Sequence, residues 1–438
     1  MEKMTRHPLR ATEDALKRAL ILNGFSIADC GTNPEMEIAS WGIPLFDEPD
    51  YLHCSPVLME GGKYALRSEL LASSLSGIKG QLPLKTFSVG RVFDAADKNH
   101  ADKKRLEGIV ALQEKLEIRH IKRMWQAIAK EAFGIQASVC VQPAEKNAYS
   151  ITASVGDKEF PFAYIAHANA LAKALLSAIP ANAYVWIFAI DIDAVTMAVY
   201  DIESREVLYS PLVPYLKRIE STQPLMGDPY YTAAASALQE LGFVEFSGQK
   251  VYEADCYKKM NMFQGAWDKN NKGVQLAEPL GELTGMPTVL TPALEEALAA
   301  NYKAGVESAM LYEFGHIFMP QENEAPLEKI SLSFGCYGPN MDNNTFRVLM
   351  DKFFTMVGFK NHFFIPIPGK AIAYNDACVF IVMNQYMQYQ ETNFGGISPK
   401  ALENHGIGVS AWMAQLEFSN AIKPTLEKEF NFIPSEEL

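Results

Sequence analysis

The sequence predicts an α+β protein built from two similar units, each an antiparallel sheet flanked by helices. The first observation is that TFSVGRVFD at residues 86–94 has a close copy, LYEFGHIFM, at residues 311–319. Both stretches are rich in β-formers around a central glycine, the pattern of a strand with a crowded point. The second observation is that helix and strand patterns alternate without the βαβ rhythm of a dinucleotide-binding fold.

The neighbours of this stretch also repeat, which argues against a chance likeness. A helical pattern closes at Gly24 in the first half and at Gly242 in the second, and the strand glycines are Gly90 and Gly315. Each landmark lies about 220 residues from its counterpart, and the order is kept. We therefore expect an internal duplication, with one domain at residues 1–220 and the other at residues 225–438.

Composition narrows the class of protein. Of the 438 residues 48% are hydrophobic and 21% charged, which is ordinary for a globular protein, and no apolar run approaches the length of a membrane span. The six cysteines form no CxxC or Cys/His cluster, so neither a zinc site nor a disulfide framework is expected. With no signal-like start we expect a reduced, cytoplasmic protein without membrane contact. The net charge of −13 restricts phosphate binding to a local patch.

The elements of the first half follow from periodicity. Residues 5–25 predict a helix leading into a strand, since Leu16, Ala19 and Leu20 share one face and Gly24 lies where a helix would end. Residues 30–62 lack a period and predict a long loop with short strands. Further helices are predicted at 66–78, 119–133 and 171–179, strands at 86–94, 106–112, 137–155, 160–165 and 184–193, and a polar loop at 97–104, while residues 194–200 fit strand or helix.

The second half is separated from the first by a predicted linker at residues 217–229, where charge, proline and glycine mix without a period. Beyond it the patterns predict helices at 232–241, 289–304, 345–357 and 398–403, strands at 311–319, 330–337, 371–386 and 411–418, and an acidic loop at 321–329.

Several motifs resemble class II aminoacyl-tRNA synthetases, most closely phenylalanyl-tRNA synthetase. In the first half they are HPL at 7–9, FSVGRVF at 87–93, Leu106-Glu107-Gly108 and the segment 195–219, which is similar to the end of the family's α-chain. In the second half, residues 289–318 and GGISP at 395–399 resemble the inactive core of the family's β-chain. The resemblance implies two tandem class II synthetase-like cores forming a pseudo-dimer within one chain.

The resemblance also shows what is replaced. The family places an arginine directly after FSVGRVF to meet the negative charge that develops on ATP. Asp94 occupies that position here, and Met319 occupies it in the second half. A second family arginine, in a glycine-rich segment, corresponds to Ala194. A carboxylate facing a triphosphate is repulsive by about 1 kcal/mol at about 4 Å in water, so no catalytic residue is expected.

Six residues remain as candidates for binding a substrate or tRNA. Arg91 and Glu107 are retained family positions, although both also suit structural ion pairs. The run at 103–105 suits either a solvated hairpin loop or contact with the tRNA acceptor end. Asp191 and Asp193, predicted to share one face of a strand, could bind a cation. His7 and His316 are expected to be structural. The six candidates are Arg91, Lys98, Lys103, Lys104, Arg105 and Glu107.

Three functions follow from these residues. We expect a noncatalytic synthetase paralogue that binds a tRNA or tRNA-like acceptor end, an amino acid or a partner synthetase, with no cofactor and possible pairing of pseudo-dimers into homo-oligomers. The alternative is an active ATP- and magnesium-dependent ligase in which Arg91, Lys98 or the 103–105 run serves the phosphates. A third interpretation is a structural or assembly module.

Overall fold

The structure is a computed structural model that describes residues 3–28, 35–37, 57–59, 64–71, 82–96, 102–144, 148–168, 179–180, 182–219, 221–224, 229–248, 251–253, 256–261, 274–286, 288–321, 326–359, 361–366, 374–383 and 389–417. None of the helices in these ranges is long and apolar enough to span a membrane.

Up to residue 208, the described part of the chain contains eleven strands and four helices with both ends described. The strands are β1 Lys3–Arg6, β2 Ser26–Ile27, β3 Glu35–Glu37, β4 Val57–Leu58, β5 Tyr64–Leu66, β6 Leu84–Phe93, β7 Asp102–Leu112, β8 Ser138–Pro143, β9 Ala148–Val155, β10 Lys158–His167 and β11 Tyr184–Asp191. The helices are α1 Pro8–Leu22, α2 Ile118–Phe133, α3 Ile192–Tyr200 and α4 Arg205–Leu208.

The described residues from 209 onward continue the numbering. Its strands are β12 Ser221–Pro224, β13 Val244–Glu245, β14 Tyr252–Glu253, β15 Val274–Leu280, β16 Leu283–Met286, β17 Ala309–Met319, β18 Leu327–Tyr337, β19 Asn361–Pro366, β20 Tyr374–Met383, β21 Tyr389–Ile397 and β22 Ala411–Glu417. Its helices are α5 Val213–Ile219, α6 Pro229–Glu240, α7 Cys256–Lys259, α8 Thr291–Lys303, α9 Asn343–Met356 and α10 Pro399–His405.

Two seven-stranded sheets organise the chain, and they have the same strand order. The first runs β2-β6-β7-β11-β10-β9-β8, and the second runs β13-β17-β18-β22-β21-β20-β19. In each sheet the short first strand is parallel to its neighbour, while the other pairs are antiparallel. The predicted α+β class with antiparallel sheets flanked by helices is therefore confirmed. That the two sheets are tandem class II cores stays a prediction.

Helices α1, α2 and α3 cover one face of the first sheet. Helix α1 begins with a proline, whose missing N–H costs nothing there, and a glycine in the left-handed region (Gly24, φ 81) follows its end. Trp125 of α2 is fully buried and meets two sheet phenylalanines edge to face, with ring centroids 5.4 Å from Phe162 and 5.3 Å from Phe188. This aromatic cluster anchors α2 to the sheet.

The second sheet has an equivalent aromatic core. Phe334 of β18 is fully buried, and its ring centroid lies 5.4 Å from that of Phe243 and 5.3 Å from that of Phe353 in α9. Helices α6 and α9 pack on this core, whereas α8 and α10 line a second core on the opposite face that contains Leu294 and Met413.

The chain forms two compact units, and each unit contains residues from both halves of the sequence. One unit contains Pro8–Leu208 together with Leu276–Gly281. The other contains Met1–His7, Tyr209–Gln275 and Glu282–Leu438. Within the second of these units β1 pairs with β12, and within the first Met59 bridges to Leu276.

Some sequence predictions about elements are wrong. Leu66 ends strand β5 and residues 67–70 are not helical, so the predicted helix at 66–78 fails at its start, and its residues 72–78 lie outside the described part. The predicted linker at 217–229 is instead helical at 217–219, pairs as a strand at 221–224 and enters α6 at Pro229. The helix predicted at 171–179 lies outside the described residues, apart from its last residue.

Candidate functional site

The candidate site lies on strands β6, β7 and β11 of the first sheet, which bring the predicted residues together in register. Arg105 of β7 faces Gly90 on one side and Asp191 on the other, and Glu107 faces Ser88 and Ala189. Since side chains alternate along a strand, Arg105 and Glu107 share one face of the sheet. Arg91 and its partner position Lys104 share the other face.

The run at 103–105 belongs to strand β7, so the predicted polar loop is wrong for residues 102–104. Strand β7 pairs with β6 along this run, which consists of Lys103, Lys104 and Arg105. Their side chains are only 15%, 14% and 7% exposed, so all three are largely buried. The loop prediction failed because three consecutive cationic residues are usually exposed to solvent. Here each cation is paired with a carboxylate of the same unit.

Glu107 is the most deeply buried of the described candidate residues. Its Oε2 accepts a hydrogen bond from the backbone N–H of Leu70 at 2.7 Å, and its Oε1 lies 3.6 Å from the guanidinium of Arg105. Burial raises the pKa of Glu107, and the charge of Arg105 partly offsets that rise. Burial, reinforced by the charge of Glu107, also raises the pKa of Glu69 to about 8. At neutral pH the Glu69 carboxyl is therefore mainly protonated.

Arg91 and Lys104 face the helical side of the sheet. The Arg91 guanidinium makes a buried ion pair with Asp102, and its backbone carbonyl accepts a hydrogen bond from Arg67 Nε at 2.7 Å. Lys104 pairs with Glu13 of α1. Burial lowers the pKa of Lys104 to about 8, although Glu13 opposes that shift.

Glu13 is surrounded by three cationic side chains. Its carboxylate meets Lys104, lies 2.6 Å from Lys17 Nζ and accepts a hydrogen bond from Arg10 at 3.2 Å. Burial alone would raise its pKa, but the charges of Lys104, Lys17 and Arg10 hold the pKa of Glu13 well below its usual range. Our sequence reasoning missed Glu13, although its spacing from Leu9 and Leu16 places it on the buried stripe of α1.

Asp94, at the position of the replaced arginine, is held inside the hairpin. Its Oδ2 accepts from Lys103 Nζ at 2.9 Å, and its Oδ1 accepts from the backbone N–H of Ala96 at 3.1 Å. The side chain is 9% exposed. Lys98 lies outside the described residues. The Asp94 carboxylate, which would repel a triphosphate, is thus already paired with Lys103 of the adjacent strand β7.

Asp191, Asp193 and Ala194 adopt a different arrangement from the predicted strand. Asp191 ends β11 and caps α3, accepting from Ala194 N at 3.0 Å, so Asp193 and Ala194 belong to the first turn of the helix. Arg205 binds both carboxylates, with nitrogen–oxygen distances of 3.3 Å to Asp191 and 3.6 Å to Asp193. The prediction that residues 184–193 form one strand is wrong at its end, and the two carboxylates share an arginine.

The corresponding strands of the second sheet repeat the geometry of one of these contacts. His316 Nδ1 lies 2.7 Å from Glu328 Oε1, which is the diagonal that Arg91 and Asp102 occupy in the first sheet. Met319, the counterpart of Asp94, ends β17. His7 is buried and its backbone N–H donates to Glu245 Oε2 at 3.1 Å. In the described part of the chain no group of three or more His, Cys, Asp or Glu residues could hold a metal ion.

Comparisons with known proteins agree with the resemblance read from the motifs. Residues 1–152 match the family "tRNA synthetases class II core domain (F)", and residues 230–418 match "Phenylalanyl tRNA synthetase beta chain CLM domain". A curated relative, the phenylalanine–tRNA ligase beta subunit of Clostridium acetobutylicum, is 24% identical over 172 residues. That match covers 37% of this chain and 20% of the relative, so the chain corresponds to a fifth of that subunit's length.

Two solved structures are also similar. A crystal structure of pyrrolysyl-tRNA synthetase from Desulfitobacterium hafniense is 16% identical, with a TM-score of 0.36, 46% of this chain covered and 73% of that chain. A structure of Desulfitobacterium hafniense PylSc, a pyrrolysyl-tRNA synthetase, is 18% identical with the same TM-score and coverage.

Proposed function

We propose, from the premise that this chain carries phenylalanyl-tRNA synthetase-related domains in both halves, that it is a noncatalytic member of that group. Its function would be to bind one of three ligands: a tRNA or tRNA-like acceptor end, an amino acid, or a partner synthetase. We further propose that the halves act as a pseudo-dimer in the cytoplasm. The shared strand order of the two sheets supports the duplication on which the pseudo-dimer depends.

The observation that carries the proposal is that the described cations around Asp94 are engaged within the unit. Arg91 binds Asp102, Lys103 binds Asp94, Lys104 binds Glu13 and Arg105 faces Glu107. Removing one partner of a buried ion pair costs about 3–5 kcal/mol, because the other charge is left uncompensated. Moving any of these side chains to a triphosphate would carry a cost of that kind.

The test is amino-acid-dependent pyrophosphate exchange by the purified full chain. We expect no ATP–pyrophosphate exchange above the blank with any of the twenty amino acids, because the charge that develops at the α-phosphate lacks its fixed arginine. The variant Asp94→Arg serves as the companion measurement, since it restores the residue that the family carries. Robust exchange by the unaltered chain would overturn the proposal.

The alternative, an active ATP- and magnesium-dependent ligase, is favoured by one contact. Lys103 Nζ lies 2.9 Å from Asp94, so a cation does reach the neighbourhood of the replaced arginine from the adjacent strand. If Lys103 serves the phosphates, Lys103→Met will abolish pyrophosphate exchange while the fold, measured by circular dichroism, persists. The exposed variant Lys130→Met is the matched control.

The opposite face of the sheet carries Arg105 and Glu107, whose side chains lie 3.6 Å apart. No cofactor is proposed for binding alone. Whether pseudo-dimers pair into a homo-oligomer is a separate proposal, which light scattering of the purified chain would test.

A further inference from the structure

The exposed side of helix α2 carries a basic ridge, which we define as Arg119, Lys122 and Arg123. All three side chains are exposed, and Arg119 is 74% exposed. The stretch 115–130 contains five lysines and arginines against one glutamate, in a chain whose net charge is −13. The ridge is therefore a local reversal of the protein's overall charge.

The ridge is unfavourable for the helix that bears it. Arg119 lies in the first turn of α2, where the positive end of the helix dipole repels a cation, although the N-cap residue Glu117 places one carboxylate at that end. Arg119 is also three and four residues from Lys122 and Arg123, and like charges at those spacings repel. Violations of a local rule without an internal gain are expected at functional surfaces.

The fold does not require these charges. The opposite face of α2 makes the contacts that hold the helix, through buried Ile121, Trp125 and Ile128. Within the described part of the chain, the ion pair recorded for the ridge is Arg119 with Glu117 at 2.7 Å, and both side chains are exposed. A pair of this kind contributes little to stability.

We propose that the basic ridge binds the phosphate backbone of double-stranded RNA. This inference rests on the proposed function, because it supplies the surface through which the chain would hold a tRNA-like ligand. Contact with single-stranded RNA needs exposed aromatic rings for base stacking, and the ridge presents none. A protein partner would call for an apolar centre, whereas Ile118 is the single exposed large apolar residue of α2.

The ridge also differs from the surface that the motifs suggested. The motifs suggested the run at 103–105, but each of its three cations is paired with a carboxylate of the same unit. The ridge cations are instead exposed to solvent. Backbone phosphates along a duplex would neutralise a row of exposed cations without rearranging the fold. Such binding is insensitive to sequence and strongly dependent on salt.

The experiment measures binding of the full chain to a fluorescent 20-base-pair RNA duplex by anisotropy between 50 and 200 mM KCl. The test variant is Arg119→Gln/Lys122→Gln/Arg123→Gln. Its matched control, Lys303→Gln/Lys352→Gln/Lys400→Gln, removes three exposed cations from the second half and leaves the same net charge. We expect the test variant to bind about tenfold more weakly and to lose about two to three units of the log–log salt slope, while the control retains both.

The outcomes separate the two proposals. Unchanged affinity and slope in the test variant, with the unaltered chain binding RNA, would overturn the ridge and leave RNA binding in place. Equal losses in test and control variants would also overturn it, because net charge alone would explain them. The RNA assignment is also overturned if the unaltered chain does not bind the RNA duplex but binds poly-glutamate, and the test variant loses that binding. The ridge would then be assigned to an acidic protein partner. Measured pyrophosphate exchange, in contrast, bears on the noncatalytic proposal alone.

Discussion

Gly108 lies at a point in the site strands that leaves no room for a side chain. A Cβ built on Gly108 would lie 2.4 Å from the backbone oxygen of Thr86 and 2.5 Å from Cζ of Phe188. The backbone oxygen cannot move without breaking the β6–β7 ladder, so the position accepts only glycine. The sequence marked Gly108 by its place after Glu107, but the reason for it is visible only once three strands are assembled.

We predict that Gly108→Ala destabilises the first unit by about 3 kcal/mol or more, because overpacking a rigid site forces backbone shifts. Denaturant unfolding followed by tryptophan fluorescence measures the effect, since Trp125 and Trp186 are both buried in this unit. Ser154→Ala on strand β9 is the control. A loss below 1 kcal/mol would mean that β6 and β11 separate more easily than their register suggests.

A buried carboxylate holds a backbone N–H in both sheets, but different strands supply it. In the first sheet Glu107 of β7 accepts from Leu70, whereas in the second Glu313 of β17 accepts from Gly248 at 2.7 Å. The register places Ser88 opposite Glu107 and Glu313 opposite Ser333, so the acid has changed strands. Two sheets with the same strand order can thus keep a polar anchor while different strands supply the side chain that provides it.

Glu69 gives the first unit a pH dependence whose sign follows from its raised pKa. The carboxyl is protonated in the folded protein up to about pH 8, whereas its usual pKa is 4.5. Between these values unfolding releases a proton, so the free energy of unfolding falls as pH rises. We predict that Glu69→Gln, which mimics the protonated form, nearly matches the unaltered chain at pH 4.5, and that its advantage in stability grows by up to about 1.4 kcal/mol for each pH unit as the pH rises from 4.5 toward 8.

Urea unfolding at the two pH values checks this prediction. Glu114→Gln, a change at an exposed loop residue, should give the same difference from the unaltered chain at both. A Glu69→Gln variant whose stability tracks the unaltered chain across the range would show that Glu69 reaches solvent.

At the scale of elements, periodicity located the strands that alternate and the helices with one apolar face. Helix α2 was predicted at 119–133 and runs over Ile118–Phe133, because Ile121, Trp125 and Ile128 recur at helical spacing. The strand content of residues 102–105 was missed because a local pattern cannot show that Glu13 lies across the sheet face from Lys104. Ion pairs between distant residues decide such segments, and sequence spacing carries no record of them.

Gln126 protects the free edge of the first sheet. Its amide nitrogen donates to Ala137 O at 2.7 Å, and its amide oxygen accepts from Val139 N at 3.1 Å, so it replaces a neighbouring strand at the start of β8. Pro143, which has no N–H, closes the other end of the same strand. Exposed edges without such protection tend to pair with other chains.

We predict that Gln126→Ala destabilises the first unit by about 1–2 kcal/mol, because it leaves a backbone donor and acceptor without their partners. It should also increase self-association, which sedimentation velocity at several concentrations would detect. Gln136→Ala, an exposed glutamine ten residues away, is the control. A monomeric variant with unchanged stability would show that water satisfies this edge equally well.

At the scale of the whole molecule, similar sequence stretches that recur in the same order predicted two similar sheets, and the two sheets do share one strand order. The borders of the compact units were not, since Met1–His7 belongs with the second half and Leu276–Gly281 with the first. The expected synthetase-like domains at 1–220 and 225–438 remain a proposal. Pairings such as β1 with β12 join residues whose separation leaves no local pattern.

The ion pair between Arg6 and Glu245 ties the amino terminus to the second unit. Both side chains are almost fully buried, at 6% and 5% exposed, with the guanidinium Nε 3.3 Å from the carboxylate. We predict that Arg6→Ala costs about 3 kcal/mol, since it leaves a buried carboxylate unpaired. Hydrogen exchange should then accelerate at β12 and β13 while β6 and β7 stay protected. Acceleration confined to β6 and β7 would contradict the assignment.

Strand β1 has a consequence for synthesis on the ribosome. Residues 3–6 can complete their pairing only after residues 221–245 have also been synthesised, because Arg6 and Glu245 are separated by 239 positions. Strand β1 must therefore remain unpaired while α1 and the first sheet are translated. Closure of this short ladder would report that translation has passed residue 245.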